Sequence, residues 1–345
     1  MLFVKKYLTE FILLFLLLFF NWFMLDEQRV ELWYASGVYP YIAAGMRYLV
    51  GWLPISFGDL LYVAAIIYSI VTLRKSFRRS FVTTARRLFT VLSLTWLIFH
   101  VLWGFNYYRT SIPDQFKLER GEVKKEEIVA FAEYSLREAN KLGIREQGIG
   151  VIDKNLITSA YEKLSKLHPQ LTYHPISFKS SLFGVMGNYM GYGGYYNPFT
   201  GEAQINDHMP EFMLPYIAVH EVAHQLGYAK ESEANFIGYL AAMHSEDSLL
   251  RYSANLEMFL YANRALRRFD STLAKQNMER LSPRIKKDLA DYKVFAEKYY
   301  GPVDKFVTWF YTGFLNFNNQ PEGMMSYNRG MVYIMRYLKK TPLLE

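Results

Sequence analysis

Hydrophobic residues follow two regimes along the chain. Before about residue 108 they come in nearly unbroken runs, and after it they recur at helical spacing or alternate. The first run, residues 7–25, follows Lys5-Lys6 and is interrupted only by Glu10 and Asn21. A bilayer-spanning helix needs about 20 mostly apolar residues, so this run predicts a membrane anchor. A signal peptide competes with that reading, with Ala35-Ser36-Gly37 as an arguable processing site, but no clear small-residue motif follows the run directly. Residues 38–53 are apolar and aromatic, yet Pro40, Gly45, Arg47 and Gly51 suit an interfacial or re-entrant segment better than a clean span. Residues 57–73 and 88–107 predict two further spans. Asp59, near the start of the first of these, reads as a structural cap, and His100 in the second as a packed polar residue.

Residues 109–345 are long enough to bury a core of their own. Residues 119–142 and 155–167 predict amphipathic helices, and the alternation of 171–180 predicts a strand. Five glycines between Gly184 and Gly194 lie among Met186, Tyr189, Met190, Tyr192, Tyr195 and Tyr196. This stretch and Glu202–Asn206 are expected as two strands around an Asn197-Pro198-Phe199-Thr200-Gly201 turn, either as a substrate-binding edge or as plain core. Residues 248–269, 283–299 and 303–314 read as helices. A last helix follows Ser326, with Tyr327 and Arg329 in its first turn as remote oxyanion candidates. The expected class is α+β: a three-helix transmembrane region over 1–108, then a mostly α domain over 109–345 with a small antiparallel β element.

Charge sharpens the membrane reading. The net charge is +7, of which +5 lies in residues 1–107, with 10 basic and 5 acidic side chains. Six of the basic residues stand between Arg74 and Arg87 with no acidic residue among them. Such a loop marks the cytoplasmic side, which would put everything after Tyr108 outside the cytoplasm. The remainder is nearly balanced, so a nucleic-acid partner loses its main support. There is no cysteine, which excludes disulfides and thiolate metal ligands.

The candidate chemistry sits at His220-Glu221-Val222-Ala223-His224, an H-E-x-x-H motif preceded by the apolar stretch 213–219 and closed by Gly227. On a helix the two histidines lie one turn apart on one face, at a separation one zinc ion can bridge. Glu221 beside them is placed to take a proton from a water at the metal. A core helix with two satisfied histidines is the bland alternative. A catalytic zinc needs a third protein ligand and an open position. Lys230 stands where a metzincin has its third histidine, which leaves a carboxylate, as in gluzincins; Glu231 and Glu233 are nearest. One unbroken helix cannot deliver either, because residues nine apart are separated by about 13 Å of rise. The chain must therefore turn back after Gly227 and start a second helix near Ser232. On it Glu233, Phe236, Ile237 and Leu240 share a face. This makes Glu233 the expected ligand, with Glu231 in the turn or pointing to solvent.

The segment Glu231-Ser232-Glu233-Ala234-Asn235-Phe236 after the motif resembles the third-ligand segment of gluzincin-like families. The closer resemblance is to a bacterial membrane family known as domain of unknown function 3810. It extends to Pro54-Ile55-Ser56-Phe57-Gly58-Asp59, Trp103-Gly104-Phe105-Asn106-Tyr107-Tyr108 and Ser326-Tyr327. It implies a zinc metallopeptidase fold, His220, His224 and Glu233 as ligands and Glu221 as base, in a protein of the bacterial cytoplasmic membrane. It implies no substrate. The expected function is hydrolysis of peptide bonds in envelope or extracytoplasmic proteins. A membrane-anchored sensor or scaffold with a structural or inactive zinc site is the alternative, against which Glu221 argues, since a closed structural site needs no base.

Overall fold

The unbroken apolar runs fold as long helices with outward-facing side chains. In the computed structural model, which describes residues 2–76, 80–143, 153–318 and 327–341, α1 spans Leu2–Met24. The short α2 (Glu27–Arg29), capped by Asp26, leads through a π-helical stretch, Val30–Val38, into α3 (Tyr39–Val50). Then come α4 (Phe57–Ser76) and α5 (Phe81–Leu102). Among the described residues two helices, over Tyr7–Met24 and Phe81–Leu102, are long and apolar enough to cross a membrane. The third expected span is shorter, with its apolar part over Phe57–Thr72. Its first turn is tied to the β-sheet. The buried Glu202 carboxylate accepts the Phe57 and Gly58 amides at 3.1 and 2.6 Å, and Asp59 accepts the Leu182 amide at 2.6 Å. Asp59 is thus a structural anchor, as its position near the start of the run suggested.

Polar residues inside the long helices have local uses. Glu10 of α1 pairs with Arg86 of α5 at 2.5 Å, and Asn21 donates to the Leu17 carbonyl. The segment expected as interfacial or re-entrant is the helix α3. It buries Tyr39, Ala43 and Arg47, at i, i+4 and i+8, against the domain, while Tyr41, Tyr48 and Leu49 stay exposed.

The domain continues through α6 (Ile112–Phe116), α7 (Lys125–Leu142), α8 (Lys154–Leu167) and β1 (Phe178–Ser180). Next are α9 (Gly184–Met190), β2 (Gly194–Asn197), β3 (Glu202–Ile205), α10 (Leu214–Gln225) and α11 (Glu231–Met243). It ends with α12 (Ser248–Leu266), α13 (Ser271–Glu279), α14 (Pro283–Tyr299), α15 (Pro302–Phe317) and α16 (Tyr327–Lys340). The fold is mostly helical with one three-stranded sheet, ordered β1-β3-β2. That sheet is mixed rather than antiparallel: β1 runs parallel to β3, and β2 runs antiparallel to it. The β2–β3 turn falls on the expected Asn197–Gly201, with Gly201 in the left-handed region at φ +70°. The first half of the glycine-rich stretch is helical rather than extended, as α9. The expected strand over 171–180 shrinks to three residues, because Pro175 has no amide hydrogen and the Ser177 amide donates to the Tyr173 hydroxyl instead.

The core is built around α10 and α11, enclosed by residues of α7, α8, α12, α16 and the sheet. From Glu231 to Ala242 every residue of α11 is buried. Gly238 allows the close crossing: a Cβ there would lie 3.2 Å from the His220 Cα and backbone nitrogen.

Candidate metal centre

The H-E-x-x-H segment forms the last turns of α10, which starts with Pro at a tolerated N-terminal position. It ends in a Schellman arrangement: the Gly227 amide donates to the His224 carbonyl and the Tyr228 amide to the Ala223 carbonyl. Gly227, at φ +87°, supplies the left-handed residue this needs. The chain then reverses and starts α11 at Glu231, so one helix end faces the start of the next.

This reversal brings His220, His224 and Glu231 together, with one ligand atom from each lying within 4.8 Å of the others. Glu231 Oε2 is 3.2 Å from His220 Nε2 and 3.8 Å from His224 Nε2. Ligands about 2.1 Å from a tetrahedral ion stand roughly 3.4 Å apart, which lies between the two carboxylate–imidazole distances. The far nitrogens are already engaged. His220 Nδ1 is 2.8 Å from Asn235 Oδ1 and His224 Nδ1 is 2.7 Å from the Tyr228 carbonyl. Both partners are acceptors, so each Nδ1 carries a hydrogen, and each Nε2 faces inward, where a metal would take the place of its proton. Glu231 Oε1 accepts from the Tyr311 hydroxyl of α15 at 2.7 Å. Burial pushes the Glu231 carboxyl up, but the hydrogen bonds and charges of His220 and His224 outweigh it and hold the carboxyl well below its ordinary value. Burial opposes the charge on His224, yet its pairing with Glu231 raises it to about 9.

The carboxylate that the fold brings to the two histidines is Glu231, not the expected Glu233. The helix begins one residue earlier than expected, so Glu231 is its first residue rather than part of a loose turn. It shares a face with Asn235, four residues on, and that face meets His220. Glu233 points elsewhere: it is buried, with Lys230 Nζ 3.9 Å away, and burial raises its carboxyl pKa. The apolar-face argument failed because α11 is buried all round and so has no single inward face. Tyr228 and Tyr311 carried no recognised sequence signal, and Asn235 stood in the segment that carries the resemblance without a role of its own. Only the i, i+4 pairing of Glu231 with Asn235 could have pointed to one.

Glu221 lies on the same helix and is buried with no hydrogen-bond partner for Oε2. Burial raises its carboxyl to about 7, against the opposing charges of His220 and His224 and with help from Glu231. The start of edge strand β2 lies against it: a Cβ on Gly194 would be 2.9 Å from Glu221 Cγ and Oε1. Of the remote candidates, Arg329 lies in α16; Ser326 and the side chain of Tyr327 lie outside the described residues.

The model of the family described as "Protein of unknown function (DUF3810)" matches residues 34–335. The chain belongs to this family. No curated protein and no solved structure matches it.

The span matched by DUF3810 starts inside the π-helical stretch before α3, and the geometry gives this a physical meaning. The last carbonyls of α10 have no partners within the helix, and α3 and the segment that follows α5 supply them. The Trp103 indole donates to the His224 carbonyl at 3.1 Å, while the Tyr39 hydroxyl and Arg47 donate to the Gln225 carbonyl at 2.9 and 3.2 Å. Arg109 donates to the Gly227 carbonyl at 3.1 Å and is held by Glu31 at 2.8 Å. Two cations at a helix C-terminus also suit the helix dipole.

Proposed function

We propose that this DUF3810 member is a membrane-anchored zinc metallopeptidase of gluzincin type. The reading rests above all on two inward-facing imidazole Nε2 atoms and one carboxylate meeting beside a buried glutamate whose Oε2 has no hydrogen-bond partner. His220, His224 and Glu231 would hold the zinc, leaving a position open. Zinc in such a site polarises a carbonyl and makes water more acidic. Glu221, with its carboxyl raised to about 7, can take a proton from the attacking water at neutral pH and return it to the leaving amine. Asn235 and the Tyr228 carbonyl fix the imidazole orientations, and Tyr311 fixes the Glu231 carboxylate. The edge of β2, which begins against Glu221, offers backbone groups to an extended peptide. With α1, α4 and α5 as membrane spans and the basic stretch 74–87 inside, the domain faces outward and acts on envelope or external proteins.

The test is zinc content and peptidase activity of the full chain in detergent. Glu231→Ala is expected to lose zinc and Glu233→Ala to keep it. Glu221→Gln should keep zinc and lose cleavage of a broad peptide panel. Retention of zinc by Glu231→Ala would overturn the ligand set. A Glu221→Gln protein indistinguishable from the parent would overturn the enzyme reading in favour of a scaffold.

A further inference from the structure

Helix α15 has three sides of different character. At about 100° per residue, Asp304, Tyr311, Leu315 and Asn318 fall on one side, where Leu315 and Asn318 are buried and Tyr311 holds Glu231. A second, narrow side carries Lys305, Thr308, Thr312 and Asn316. The third and widest holds Val303, Phe306, Trp309, Phe310, Phe314 and Phe317. That apolar side faces outward: Phe306, Trp309, Phe310 and Phe317 are 63–74% exposed. A water-soluble surface rarely leaves so many large aromatics together.

Both ends of this helix continue into apolar surface. Toward its C-terminal end Phe314 packs edge-on against Phe99 of α5 and against Tyr107 just beyond it, each with ring centroids 6.5 Å apart. Near its start, at Asp304, α15 packs on α9, where Val185, Met186 and Tyr189 are exposed. The Leu182 amide just before α9 is bound by Asp59 at the start of α4. The aromatic face therefore joins the domain-side ends of α5 and α4.

We infer that α15 lies in the plane of the bilayer interface, with its aromatic side in the lipid and its Thr308–Thr312 side toward water. The inference rests on the proposal that α5 spans the membrane. Composition supports a lipid occupant: Trp and Phe on one side with a polar strip beside them are typical of interfacial helices. Because Tyr311 on the inner side touches Glu231, the metal ligands would lie only about one helix diameter, ~10 Å, from the lipid surface.

The chain has no cysteine, so single-cysteine variants can be labelled cleanly. Full-length Phe306→Cys, Phe310→Cys and Phe317→Cys, each bearing a nitroxide, would be reconstituted in vesicles of phosphatidylethanolamine and phosphatidylglycerol. Leu92→Cys in α5 serves as the lipid reference and Lys293→Cys in α14 as the aqueous one. The oxygen-to-nickel-chelate accessibility ratio at the three aromatic positions should match Leu92 and exceed that of Lys293 several-fold, while Thr308→Cys should resemble Lys293. Aqueous values at Phe306 and Phe310 with a lipid value at Leu92 would overturn this inference alone. An aqueous value at Leu92 would overturn the membrane reading and this with it. Dipolar broadening at Phe310 that dilution with unlabelled protein relieves would assign the face to a second copy of the chain and overturn the lipid occupant. None of these outcomes depends on zinc or peptidase activity.

Discussion

Glu221 gives the sharpest test of the site that needs no substrate. It is 5% exposed, its Oε2 has no partner, and His220, His224 and Glu231 are the charged groups that face it. In the metal-free protein its carboxyl is raised from 4.5 to about 7. A carboxyl raised on folding contributes stability that is complete below pH 4.5 and is lost as the pH rises through 7. At about 1.4 kcal/mol per pH unit, the loss is about 3 kcal/mol. Glu221→Gln has the same shape and no charge, so it should not suffer this loss. His224 and Glu231 titrate in both proteins. Removing the Glu221 charge lowers the support for His224 slightly, which trims the expected difference to about 2–3 kcal/mol. Chelator-treated full-length protein would be unfolded with denaturant in detergent at pH 5 and at pH 8. At pH 5 the variant and parent should lie close together, and at pH 8 the variant should be the more stable. Adding zinc should close the gap, because a nearby cation favours the Glu221 carboxylate. Identical pH dependence of the two proteins would show that Glu221 is solvated or paired and refute the burial on which its proposed role as base depends.

Trp103→Phe keeps an aromatic ring but removes the donor to the His224 carbonyl and leaves part of the buried indole's volume unfilled. The Gly227 amide still reaches that carbonyl, so the expected cost is about 2–3 kcal/mol in denaturation, mostly from the lost packing, with zinc content unchanged. Lys179→Met leaves Glu202 buried without its cation, which stands 2.5 Å away and also donates to the Val50 and Ile55 carbonyls. Breaking a buried pair on one side costs about 3–5 kcal/mol, read as an early unfolding midpoint.

The motif, the turn at Gly227 and the need for a second helix were all legible in the chain, because each follows from local geometry: i, i+4 spacing, a glycine stop and the rise of a helix. The β2–β3 hairpin was legible for the same reason, through its Asn-Pro-Phe-Thr-Gly turn. The choice between Glu231 and Glu233 was not, because the two differ only in which side of a wholly buried helix they occupy. That is decided by Gly238 letting α11 cross α10 closely, and by Asn235 meeting His220. Tyr311 was out of reach because it arrives from 80 residues downstream. The spans were read by apolar length alone, which overlooked that the first turn of α4 is claimed by Glu202 and by the Leu182 segment that Asp59 holds.

A division at residue 108 into membrane region and catalytic domain is the sequence reading that the packing puts under most strain. Tyr39, Arg47 and Trp103 lie before that point, yet they satisfy the end of the motif helix. Arg47 also donates to the Pro175 and His174 carbonyls, and Glu202 receives the Phe57 and Gly58 amides. A fragment of residues 109–345 would lose all of these together with Glu31, the partner of Arg109. It would also uncover Tyr196 and Ala229, which pack with Tyr39 and Trp103 in one buried cluster. Each neutral hydrogen bond is worth about 1 kcal/mol and each charged one about 2. Each large side chain no longer buried adds about 2 more. The sum exceeds the 5–15 kcal/mol that typically holds a domain folded. The fragment is therefore expected to be protease-sensitive, without near-ultraviolet circular dichroism and without stoichiometric zinc, while the full chain in detergent shows a folded signal. A fragment that unfolds cooperatively and binds one zinc per chain would refute this, and would show that the segments before residue 109 merely rest on a finished site. The expected result would make residues 30–108 part of the candidate site's architecture, since they hold the helix end from which both histidines project.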